Sequence, residues 1–269
     1  MNQDYSLYEL LGDFNEQQLE QIELGYQSGI DVSWYTNPKF SSDQMAVIRI
    51  GLEEGLDVSR YAHLSFSWQQ MQEIYLGLIA GIDVSWYLNP KFSYQQMEQI
   101  RFGLESKLDV SWYAKPEFSM QQMYEIRYGL HKGLDVSTYS DPEFSWRQMK
   151  QIRLGLEDGL DVSWYARPEF SAYQMREIQL GLKDNLDVSR YADVKFSSTQ
   201  MFQIRCGLLQ GLDVSAYTDP KFSWQQMEEI RSGLLSEVDV SLYANPNLSW
   251  ERMQEIRRRL ENESKLQTL

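Results

Sequence analysis

Apolar and polar positions along this chain follow a frame that repeats every 26 residues. Residues 40–65 show it once. Met45, Ile48 and Leu52 fall at i, i+3 and i+7, one apolar stripe of an α-helix. Val58 and Tyr61 follow in a segment of four or five residues, which suits a 3₁₀ turn better than a second full helix. The same frame then recurs. Asp-Val-Ser begins at Asp31, Asp57, Asp83, Asp109, Asp135, Asp161, Asp187, Asp213 and Asp239, with no insertion or deletion. A phenylalanine keeps the same step from Phe14 to Phe222, and Leu248 is the tenth member of its row.

Local chemistry predicts where each element starts and stops. Ser41 is placed as a helix N-cap, with Gln44 completing a capping box and Phe40 and Met45 a hydrophobic staple. Gly55 stands at the C′ position, where a left-handed conformation costs little; Lys107, Asn185 and Glu237 take its place in three units. Asp57 is the cap of the short turn. A proline then closes seven of nine units and biases the chain away from helix. A second glycine recurs mid-helix, for example Gly51, Gly103 and Gly129. Each costs about 1 kcal/mol relative to Ala, so the row implies close backbone approach. Sharing a helix side with Gln44 and its equivalents, it marks that side as the tight seam between repeats.

Neither element can bury its apolar face alone, so neighbouring units must stack. The expected fold is all-α: a right-handed or curved α-solenoid of about ten repeats, each one α-helix plus one short 3₁₀ or α turn. Residues 1–13 form an N-terminal cap in which Tyr5, Leu7, Leu10 and Leu11 cover the first repeat. Residues 14–247 hold nine repeats, and 248–269 a truncated tenth repeat with a C-terminal capping helix. At roughly 10 Å per packed helix the array would be an elongated monomer near 100 Å long.

Charge narrows the partners. With 39 acidic and 25 basic side chains the chain carries −14, which disfavours nucleic-acid binding through phosphates and suits a basic protein partner. Cys206 is the only cysteine, so no intrachain disulfide forms. No basic n-region opens the chain and no stretch approaches the roughly 18 apolar residues of a membrane span. The expectation is a cytoplasmic protein without a membrane segment.

Enzyme chemistry needs a few unique, convergent groups. The only histidines, His63 and His131, sit at variable positions about two and a half repeats apart. No catalytic triad, metal spacing or cofactor motif appears, so no enzyme, cofactor or metal is expected. The residues that vary while the frame stays fixed are more informative. All eight tryptophans occupy two unit positions: Trp34, Trp86, Trp112 and Trp164 follow Asp-Val-Ser, while Trp68, Trp146, Trp224 and Trp250 begin the long helix. Arg60 and Arg190 replace them at the first position, and a place that accepts both Trp and Arg is not deep core. An arginine row (Arg49, Arg101, Arg127, Arg153, Arg205, Arg231 and Arg257) is interrupted by Tyr75 and Gln179. It lies about 20° around the helix from the helix-start tryptophans. One flank is thereby predicted to hold a partner-binding stripe, densest at Trp86, Trp112, Trp146, Trp164, Arg101, Arg127, Arg153 and Tyr124. The alternative uses are internal: tryptophans sealing the array edge, and arginines pairing with a glutamate of the adjacent unit, such as Glu73 or Glu125.

The layout of one helix and one short turn resembles leucine-rich-variant-type solenoids, though not in residues. The motif F-S-x-x-Q-M-x-x-I-R-x-G-L followed by D-V-S-x-Y spans residues 14 to 261. It resembles short tandem repeats in proteins of gut Clostridia and their mobile elements, which implies a protein that binds and blocks a host factor. The expected function is a noncatalytic protein-binding scaffold or sequestering inhibitor of a basic, nucleic-acid-handling protein. The alternatives are a helical repeat protein that binds nucleic acid, one base per unit, or an acidic mimic of DNA.

Overall fold

The computed structural model describes residues 11–267. Among them the chain is all-helical, with no strand. Ten long helices follow one another: α1 (Glu16–Gln27), α2 (Ser42–Glu53), α3 (Trp68–Ile79), α4 (Tyr94–Glu105), α5 (Met120–His131), α6 (Trp146–Glu157), α7 (Ala172–Lys183), α8 (Ser198–Leu209), α9 (Trp224–Leu235) and α10 (Trp250–Gln267). A three-residue 3₁₀ turn follows each of the first nine, from Val32–Trp34 to Val240–Leu242. The expected N-terminal cap rests mostly on Tyr5, Leu7 and Leu10, which lie outside the described residues; Leu11–Asp13 forms a 3₁₀ turn ahead of α1.

The chain divides into two compact units at Gly133/Leu134, between α5 and the turn after it. In the first unit each of α1 to α5 packs on its neighbour in sequence, and in the second α6 to α10 do the same. Each unit is thus a helical solenoid. Long helices form one layer, 3₁₀ turns another, and the core lies between them. Met45, Ile48 and their equivalents face it from the helices, and Val58, Tyr61 and theirs from the turns, all buried except the end residues Leu19 and Ile256, which are half-buried.

Capping sets the helix starts as predicted. The Gln44 amide donates to Ser41 Oγ at 3.1 Å, and Gln44 Oε1 accepts from the Ser41 amide at 2.8 Å. Asp57 Oδ1 likewise accepts from the Ser59 amide at 3.2 Å and starts the short turn. At the C′ position Gly29, Gly55, Gly81, Gly133, Gly159 and Gly211 have φ of 66–72°, and Lys107, Asn185 and Glu237 adopt the same region at 54–58°. A Cβ there is strained by about 1–2 kcal/mol, while glycine loses more entropy on folding. Lys107→Gly is therefore expected to raise stability by up to about 1 kcal/mol, and Asn185→Gly by less, because Asn tolerates the αL region. Thermal melts check both, and a destabilised Lys107→Gly would contradict the strain.

Glutamines clasp one repeat to the next. Gln148 Oε1 accepts from the Ser145 amide of its own helix start at 2.7 Å, while its Nε2 reaches into the next repeat and donates to the carbonyls of Pro168 at 2.9 Å and Phe170 at 2.7 Å. The pattern recurs at Gln18, Gln174 and Gln200. In the tenth repeat Arg252 takes the glutamine position.

The mid-helix glycine serves a different purpose from the one expected. A Cβ on Gly103 would overlap the Tyr113 hydroxyl and come within 2.9 Å of Val110 Cγ1, both in the turn of its own repeat. The close approach is between a helix and its own turn, not between neighbouring helices. The buried Tyr113 hydroxyl crosses that gap and donates to the Gln99 carbonyl at 3.3 Å. The tenth repeat supports this. No D-V-S-x-Y turn follows α10, and Arg259 stands where the glycine would be.

Candidate functional site

The arginine row lies on the helix flank and is directed back along the stack. Arg101 Nε donates to Glu73 Oε2 of the preceding repeat at 2.8 Å, and its Nη1 to Glu105 at 2.7 Å. Arg205 reaches Glu177 at 2.9 Å and Arg257 reaches Glu229 at 2.8 Å. Arg49, Arg127 and Arg231 reach a glutamine oxygen at the same place, Gln21, Gln99 and Gln203. This internal ladder accounts for one interruption of the row: Tyr75 appears where the preceding repeat has Val47, which offers no acceptor. Gln151 precedes Gln179 as glutamines precede Arg49, Arg127 and Arg231, so nothing in the structure explains the second interruption.

Burial pushes the Glu73 carboxyl up, against the pull of Arg101. Burial also works against the charge on Arg101, but Glu73 and Glu105 together outweigh it and raise its pKa. Arg101 and Arg153 are only 9% and 6% exposed, and Glu125, named with Glu73 as an internal acceptor, is buried as well. Arg127 is half-buried, with its guanidinium over Tyr124 at 5.6 Å and over Phe102 at 5.5 Å. Of the predicted stripe, then, the arginines are tied into the frame.

The tryptophans are the exposed part. Trp86, Trp112 and Trp164 are about two-fifths exposed, and Trp146 is half-buried. They do not form one flank. Trp146 lies in the groove between α6 and α7, whereas Trp164 lies with Ser163, Arg167 and Ala192 in the layer of turns. The helical angle that groups the helix-start tryptophans with the arginines says nothing of the turn tryptophans, which are carried by the other layer. Tyr124 is exposed on the helix layer. His63 and His131 are both exposed.

No family model, curated protein or solved structure matches this chain.

The turn layer has chemistry of its own. Beside each turn tryptophan is an exposed capping aspartate. Hydrogen bonds from the side chain and backbone of Ser85 hold the Asp83 carboxyl below the usual range, as the equivalent serines do for Asp31 and Asp213. Where arginine replaces the tryptophan it turns toward that carboxylate: Arg60 Nε is 3.6 Å from Asp57 Oδ2, and Arg190 Nε is 4.0 Å from Asp187 Oδ2. The row thus holds exposed indoles and exposed carboxylates at the repeat spacing, and already accepts guanidinium groups of its own. Sequence reasoning missed the separation of the layers because it extended the flank read from the long helix to tryptophans that the short turn carries. Among the described residues no helix is long and apolar enough to cross a membrane.

Proposed function

We propose that this protein is a noncatalytic binding solenoid that takes a basic segment of a protein partner along its turn layer. The observation that carries this is the pair Trp86 and Trp112, exposed in consecutive repeats of the first unit beside Asp83 and Asp109. Other recurring residues of the frame hold the fold together, since glutamines clasp the next repeat, arginines form the ladder and glycines admit the tyrosines. The turn tryptophans vary from repeat to repeat, as Arg60, Thr138, Arg190 and Ala216 at the same place show, and leave about two-fifths of each indole open to a partner. An indole face next to a carboxylate suits a lysine or arginine side chain, through cation–π contact and charge. The net charge of −14 favours the same partner. A cytoplasmic scaffold or sequestering factor fits a chain with one cysteine, and the likeness to repeats of mobile elements favours the sequestering role.

A peptide array of lysine- and arginine-rich, neutral and acidic segments tests it. The basic segments are expected to bind. Trp86→Ala with Trp112→Ala should weaken them at least about tenfold, in line with about 2 kcal/mol for a central aromatic anchor, while leaving the melting temperature unchanged. Preference for acidic segments, or undiminished binding by the double variant, would remove the turn layer as the working face.

A further inference from the structure

We propose that the groove between α6 and α7 is a binding site for a nucleoside phosphate. The groove encloses about 220 Å³ between Trp146, Arg147 and Lys150 on one helix and Tyr173 and Arg176 on the next. It shares Lys150 and Arg176 with a second groove of about 410 Å³ that runs on toward Lys183. Together these match the few hundred Å³ of a small-ligand site.

Its charge is local and is not required by the frame. Lys150 and Arg176 occupy equivalent places in adjacent repeats, where the other repeats have Glu20, Ala46, Gln72, Glu98, Tyr124, Phe202, Glu228 or Gln254. No other repeat puts a cation there. Arg147 is likewise the only cation at its place, which elsewhere holds Gln, Asp, Tyr, Thr or Glu. In a chain of charge −14, three such departures meet in one groove. All three side chains are exposed, and none is in an ion pair among the described residues. The ladder arginines differ from them in this respect. The corresponding groove between α9 and α10 has Gln225 at the Arg147 place and Glu228 at the Lys150 place. The groove itself belongs to the frame, but its positive lining is particular to this one gap.

The aromatic groups decide the ligand class. The Arg147 guanidinium stacks over Trp146 at 4.7 Å from the ring centroid, which steadies it while its N–H edges remain free to donate to phosphate oxygens. Tyr173 is 69% exposed and offers a ring face on the other helix for a planar base. Ala172 begins α7 where α9 and α10 begin with tryptophan, and so leaves the mouth of the groove open. A nucleic-acid strand would need cations running over successive repeats. Instead, the next repeat has Phe202 in that row, so a single small ligand is the occupant.

Isothermal titration at low salt with ATP, tripolyphosphate, adenosine and a glutamate-rich decapeptide tests the assignment. The variant is Lys150→Glu with Arg176→Glu, which the fold tolerates because Glu98 and Glu228 occupy the same place in other repeats. Lys195→Glu with Lys221→Glu controls for net charge. ATP is expected to bind most tightly of the four, to weaken at least tenfold in the groove variant, and to be unaffected in the control. The proposal is overturned if ATP gives no binding, if both double variants behave alike, if tripolyphosphate equals ATP (a phosphate site without a base contact), or if the acidic peptide binds tighter.

Discussion

Arg101→Ala is expected to destabilise the first unit by about 3 kcal/mol, far more than loss of a surface charge. The Arg101–Glu73 pair spans two repeats at 2.8 Å, with both side chains about one-tenth exposed. Breaking such a pair leaves a carboxylate with neither water nor cation, at a cost of about 3–5 kcal/mol when fully buried; the residual exposure here argues for the lower end. The chain supplies its own control. At the same two positions one repeat earlier stand Val47 and Tyr75. Glu73→Val combined with Arg101→Tyr should therefore recover most of the loss, because an apolar pair of similar volume can replace a buried ion pair at little cost. The penalty of Arg101→Ala should also depend on pH. Burial already raises the Glu73 carboxyl, and removing Arg101 takes away the main opposing influence. The folded variant then takes up a proton at a pH where the unfolded chain does not. Its deficit is full above the raised folded value and fades as pH falls through it. Urea melts at about pH 7.5 and about pH 5 would show the gap between variant and parent narrowing at the lower pH. A pH-independent deficit of under about 1 kcal/mol would place the pair among ordinary surface bridges.

The period, the helix and turn boundaries, the caps and the left-handed C′ positions are all legible in the residues, because each depends on contacts within about four residues. Asp-Val-Ser reads as a capped turn since the Asp57–Ser59 bond is local. What the chain does across longer separations is harder to read. Gln148 is recognisable as half of a capping box, but its bonds to Pro168 and Phe170, 20 and 22 residues on, need the stacking geometry. The glycine row correctly signals close approach, yet cannot say to what. The arginine row is ambiguous for the same reason, although a signal was available. Comparing each arginine with the residue 28 positions earlier shows an acid or amide every time, and Val47 where Tyr75 interrupts the row, although Gln151 before Gln179 does not fit that rule. The candidate site was half legible. Variable tryptophans and arginines stand out in a fixed frame, but only the structure separates the two layers.

Gly103→Leu should cost about 3 kcal/mol or more, against a helix-propensity gain of about 1. The whole side chain would enter a gap already closed by the Tyr113 hydroxyl and Val110, and neither neighbour is a mobile surface group: Tyr113 is fully buried and Val110 nearly so. Moving the tyrosine also breaks its bond to the Gln99 carbonyl, which lies in the same helix as Gly103. A buried hydroxyl without a partner adds roughly 1–3 kcal/mol. The smaller Gly103→Ala separates helix propensity from clash. If the gap were loose, alanine would stabilise α4; with the tyrosine in place it should destabilise. Tyr113→Phe removes the oxygen that meets the new methyl group, so Gly103→Ala should be better tolerated in the phenylalanine background than in the parent. That coupling, read from a double-mutant cycle by chemical denaturation, should exceed about 0.5 kcal/mol, because the two groups touch. The same cycle between Gly103 and a core residue of the neighbouring helix, Met123→Ala, should show less coupling, because the glycine faces its own turn. The reverse order of couplings would return the glycine to the seam between repeats.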